Sequence, residues 1–79
     1  MVSVIFPNKK EVEIFGDYFL VTEGNFDGGF DVLLNGNLCG QFSDEADADA
    51  FEAVLRTEID AKLADGGTTV VTIDELRSR

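Results

Sequence analysis

Apolar residues take alternate positions at the start of the chain. Val2, Val4 and Phe6 share one face of "MVSVIF", the two-residue period of a strand buried on one side. Pro7 and Asn8 suit the two central positions of a turn. The stretch "EVEIF" then alternates strictly, with Val12 and Ile14 inward and Glu11 and Glu13 outward. Gly16-Asp17 reads as a two-residue hairpin turn leading to a third strand, "YFLVTE". A flexible loop, Gly24 to Gly29, follows.

Two more strands, "FDVLL" and "LCGQF", flank Asn35-Gly36-Asn37. A two-residue loop would set Phe30, Val32 and Leu34 against Gln41, Cys39 and Asn37. A three-residue loop sets them against Phe42, Gly40 and Leu38. The second register pairs apolar with apolar, and a one-residue slip would undo it. The three-residue loop, with a positive φ inside it, is therefore expected.

The period then changes to 3.6. Ala48, Phe51, Leu55, Ile59 and Leu63 recur at three- and four-residue steps, the stripe of an amphipathic helix. Ser43 is the expected cap, with Asp44, Glu45 and Asp47 in the first turn, where the helix dipole favours anions. Gly66-Gly67 ends the helix. Glu52 with Arg56, and Glu58 with Lys62, have the favoured i,i+4 order for ion pairs. "TTVVTI" is a further strand, and Thr72 with Glu75 has capping-box spacing for a terminal helical turn. The predicted fold is one α+β domain over residues 1–79: an antiparallel β-meander of five to six strands, one long helix on one face, order β-β-β-β-β-α-β. Phe15 and Phe19 belong to a set of phenylalanines larger than one helix stripe needs, so the sheet is expected to show spare apolar surface on its other face.

Composition narrows the class. A chain of 79 residues buries only roughly 60–65% of its unfolded surface, so association would help it. The single Cys39 forms no internal disulfide, reads as a buried small residue, and suits a reducing cytoplasmic compartment. No run approaches a membrane span, and the bases follow the first apolar run, the wrong order for a secretory signal.

Charge is the outstanding feature. Sixteen acids against six bases give −10. Direct binding of nucleic acid or of anionic membranes needs the opposite sign. A basic protein surface, approached under electrostatic steering, is the expected partner, although plain solubility also explains acidity.

Catalytic signatures are missing. There is no His, one Cys and no phosphate-binding loop, so no cofactor or metal is expected and the chain does not read as an enzyme. Counting an EF-hand loop from Asp44 puts Asp49 at the glycine position and Leu55 at the bidentate glutamate position, so that pattern fails. "DEAD" at Asp44 to Asp47 matches a helicase signature in letters only, since that motif follows a buried strand in a nucleotide-binding domain far longer than this chain.

With Leu55 at the centre of the buried stripe, Glu45, Asp49, Glu52 and Asp60 line one flank, interrupted by Arg56. Asp47, Glu58 and Asp65 line the other. Neighbouring acids on a flank are about 5–6 Å apart in rise. That is near the separation of successive phosphates on a nucleic-acid strand, whose axial repeat is about 3.4 Å. A stiff carboxylate row suits a phosphate-binding groove, and it equally suits a solvated helix face. Ala46, Ala50, Ala53, Thr57 and Ala64 form a ridge of small residues that would admit a second copy.

A small acidic domain whose meander ends "GGFDVLLNGNLCGQFSDEADADAF", followed by one long helix and a last strand, resembles the small phage-encoded anti-CRISPR proteins that act on type I surveillance complexes. The resemblance is one of size, charge and layout. It implies a non-catalytic inhibitor, in the cytoplasm of a bacterial host, that covers the positive DNA-binding surface of a crRNA-guided complex. Under it the leading contacts are Asp44, Glu45, Asp47, Asp49 and Glu52; Glu11, Glu13, Asp27 and Asp31 come second; Tyr18 and Phe26 are candidate aromatic anchors. The alternatives are a small homodimeric interaction module and an antitoxin-like neutraliser of a basic protein.

Overall fold

A computed structural model of the chain describes residues 1–78. The elements are β1 (Val2–Ile5), β2 (Glu11–Ile14), β3 (Leu20–Gly24), β4 (Phe30–Leu34), β5 (Asn37–Phe42), α1 (Glu45–Asp65), β6 (Thr69–Thr72) and α2 (Ile73–Arg77). The class is α+β and the predicted order holds, with one long helix packed on the sheets.

The strands form two three-stranded sheets, β2-β1-β6 and β3-β4-β5, where the sequence suggested one meander. β1 takes β2 antiparallel on one side and β6 parallel on the other. The split occurs at Gly16-Asp17. Gly16 lacks the positive φ of the expected hairpin turn. Tyr18 and Phe19 are anchored elsewhere and draw the chain away from β2. The Tyr18 hydroxyl donates to Asp60 (2.5 Å). The Phe19 N–H donates to Asn35 Oδ1 (2.8 Å), and its carbonyl accepts from the Asn35 N–H (2.7 Å).

The β1–β2 turn uses Pro7 and Asn8 at its centre as expected, and Lys9 closes it at φ 73°. Between β4 and β5 the loop is Asn35-Gly36 alone, both residues left-handed (φ 50° and 80°), with Leu34 opposite Asn37. The favoured far register nevertheless occurs: Phe30 faces Phe42 and Val32 faces Gly40. A bulge at Cys39 reconciles the two by inserting one residue opposite the Val32–Leu33 step.

The core is one cluster. Val2, Val4, Ile14 and Val71 from the first sheet meet Leu20, Val32 and Leu34 from the second, across Ala48, Phe51, Leu55 and Ile59 of α1. The residue preceding the helix is Asp44, not Ser43, and its side chain makes no capping bond. The extended backbone of Asp44 already supplies the first carbonyl acceptor, at 3.1 Å from the Ala48 N–H. Gly66 ends α1 in the left-handed region (φ 76°), its N–H on the Leu63 carbonyl. No helix among the described residues is long and apolar enough to cross a membrane.

Leu55 is fully buried at the centre of the stripe, whereas Val54 beside it is 45% exposed. In urea unfolding, Leu55→Ala is expected to lose about 3 kcal/mol and Val54→Ala less than about 0.5 kcal/mol.

Candidate functional site

The molecule is elongated, 39 × 23 × 21 Å. At one end the β3–β4 loop meets the start of α1. The loop is knotted around Asn25, whose Oδ1 accepts from the N–H groups of Asp27 and Gly29 (2.9 Å each). Gly29 is required there, because a Cβ would stand 2.7 Å from the Phe42 carbonyl oxygen. A hollow of about 290 Å³ between the loop and the β5–α1 junction is lined by Asn25, Asp27, Gly28, Gly29, Gln41, Phe42 and Ser43.

This end gathers most of the predicted contacts. Asp44, Glu45, Asp47 and Asp49 are all exposed on the first turns of α1. Asp27 is exposed on the loop, and Phe26 at its tip has its whole ring in solvent. Asp31 is half-buried and accepts from Asn25 Nδ2 (2.9 Å) and Gln41 Nε2 (3.3 Å). One further acid belongs here that the sequence reading did not single out: Glu23, directly opposite Asp31 across the β3–β4 ladder. Like charges in that relation are unfavourable. The hairpin register, set by the loop ending at Gly29, is the signal that locates it.

The other candidates lie elsewhere. Glu52 is half-buried on the flank of α1 over β3, where it accepts from Thr22 Oγ1 (3.3 Å). The expected Glu52–Arg56 pair does not form, because Arg56 donates to the Leu20 carbonyl (3.1 Å). Glu11 and Glu13 are exposed on β2 in the other sheet, and Ser3 Oγ donates to Glu11 (2.5 Å). Tyr18 packs against the core and is an intramolecular tether.

The acids share one electrostatic property. Glu58–Lys62 (3.5 Å) is the one ion pair among the described residues. Glu11, Asp31, Glu52 and Asp60 are held instead by neutral hydroxyl or amide donors. Such bonds fix a carboxylate in place and leave its charge intact. Between Lys10 and Arg56 the chain has no base at all. Arg77 reaches toward this end, but its guanidinium stacks 5.0 Å from the Phe42 ring centroid and meets no described carboxylate. The hollow is open and mainly polar. The thiol of Cys39 is buried away from it, and burial pushes that thiol up to about 12. No three described Cys, Asp or Glu side chains are grouped to hold a metal ion.

Burial, reinforced by its bond to Asp60, pushes Tyr18 up to about 12. Tyr18 and Cys39 both favour the protonated form in the folded state. The stability they add is complete below pH 9 and is lost as pH rises toward about 12. Alkaline unfolding followed by circular dichroism is expected to begin within that window. Tyr18→Phe should lower stability at neutral pH by about 1 kcal/mol and remove the tyrosinate absorbance step.

Comparison of the chain with protein-family models, with curated proteins and with solved structures gives no match.

Proposed function

We propose that the protein is a non-catalytic binding protein that presses its acidic end onto a basic surface of another protein. The observation carrying this reading is the absence of compensation. Glu23 and Asp31 face each other across the β3–β4 ladder, Asp27 lines the hollow that Ser43 closes just ahead of Asp44, Glu45, Asp47 and Asp49, and none of these acids forms an ion pair. Acids needed only for folding would be expected opposite bases or within reach of the helix dipole. The dipole serves Glu45 and Asp47 in the first turn of α1. It does not serve Glu23, Asp27 or Asp31, which lie outside the helix, or Asp49 beyond that turn.

In its narrower form, the basic surface is the DNA-binding channel of a type I crRNA-guided complex, and the protein is an anti-CRISPR inhibitor. The carboxylates of this end then stand where phosphates would lie, and Phe26 supplies an aromatic contact at the rim. Self-association through the alanine ridge of α1 is the weaker reading, since each copy brings a charge of −10 to the contact.

The test is binding of the wild-type chain, and of a variant with Asp44, Glu45, Asp47 and Asp49 changed to Lys, to a purified type I complex at low and high salt. The expected result is inhibition of DNA capture that weakens steeply with salt, with affinity lost by about tenfold or more in the variant. Inhibition that survives both the substitutions and salt would overturn the acidic-end reading. No binding by the wild type would remove the anti-CRISPR form.

A further inference from the structure

Four strands lie at sheet edges, and three of them are obstructed. On β3 the Leu20 carbonyl is taken by Arg56, and Thr22 is tied to Glu52. β5 is bulged at Cys39, and Arg77 packs on Gly40, where a Cβ would already lie 3.2 Å from the guanidinium carbon. β6 is flanked by both helices, Glu58 and Lys62 of α1 and Glu75 and Leu76 of α2 lining one hollow with Val70, Val71 and Thr72. β2 alone is clear, its described backbone bonds all made to β1.

We infer that the free edge of β2 accepts a β-strand from a basic protein partner, one whose residues alternate between cationic and apolar. This rests on the reading that the partner is cationic, and adds where and in what conformation it binds.

The phase of the ladder selects the groups on offer. Phe6 N–H bonds the Lys10 carbonyl (2.9 Å), so bonded pairs recur at Val4–Val12 and Val2–Ile14. The N–H and C=O groups of Glu11 and Glu13 therefore point to the free edge. Their side chains stand on the outer face, continued by Phe15, which is 75% exposed. Val12 and Ile14 face inward, and Val12 is only half-covered because no strand flanks it. An incoming strand would set one set of side chains beside Glu11 and Glu13 and the alternate set beside Val12. Cross-strand pairing favours cations at the first and aliphatic side chains at the second.

Two glutamates on a short edge strand also guard against self-pairing. Two antiparallel copies of β2 would set Glu11 of each against Glu13 of the other, like charge on like. The charge that rejects a second copy is the charge that selects a basic strand.

The probes are two end-capped peptides of identical composition, one alternating Lys and Val, the other with all Lys before all Val. The readout is amide hydrogen exchange by NMR. The alternating peptide is expected to slow exchange at Glu11 and Glu13 by roughly tenfold, and the block peptide to leave it unchanged. Glu13→Pro, which removes an N–H that β1 does not use, should abolish the protection with the circular dichroism spectrum retained. Should that variant fail to fold, Glu11→Lys with Glu13→Lys should shift the preference to a peptide alternating Glu and Val. Equal protection by both Lys peptides, or protection of Glu11 and Glu13 that grows with protein concentration alone, overturns the inference. Peptide-induced shifts confined to Asp44–Asp49 overturn it while sparing the cationic-partner reading. Absence of any peptide-induced change overturns both.

Discussion

One helix holds two sheets together. Neither sheet pairs a strand with the other, and each has only three strands. The stripe of Ala48, Phe51, Leu55 and Ile59 is the surface on which both inner faces close. Burying the side chains of Phe51, Leu55 and Ile59 contributes on the order of 2 kcal/mol each, a large share for a domain this small. With the stripe committed to the core, the remaining helix positions face solvent or the rims of the sheets. Those are the positions that carry the acids.

The sheets also decide what the acids become. The β4–β5 pairing that sets Phe30 opposite Phe42 carries the β3–β4 loop to the start of α1. Carboxylates from a helix, a loop and a strand pair are thereby drawn to one end of a long molecule. There Asp31 meets the side-chain amides of Asn25 and Gln41, and none of these acids pairs with a described base. Glu23 facing Asp31 is a local arrangement that opposes folding. An arrangement of that kind, left unrelieved by any described base, is where a demand other than folding is expected to act.

Much of this was legible in the sequence, and what was not has identifiable causes. The helix stripe follows from the 3.6-residue period, and the Phe30–Phe42 pairing from apolar matching. The division into two sheets was hidden because the second neighbour of β1 is β6, at the far end of the chain, while Gly16-Asp17 offers a plausible local turn. The bulge at Cys39 was hidden because a loop and a bulge are alternative ways to shift a register by one residue. Helix spacing suggested Glu52–Arg56, but Arg56 sits over an unpaired strand edge and meets the Leu20 carbonyl instead. Among the site residues, the acids of α1 were visible as a run. Their meeting with Asp27 and Asp31, and the addition of Glu23, required the hairpin register. Glu52 and Tyr18 proved to be tied inside the molecule.

The central claim is that the acidic end carries charge the fold does not use. The most direct measurement is the urea midpoint of the free protein in low salt and in roughly half-molar sodium chloride, where charges beyond a few ångströms are screened. Uncompensated carboxylates repel one another, so the midpoint should rise with salt. A midpoint that falls would mean the acids are engaged in attractive pairs that stabilise the fold, and would contradict the claim.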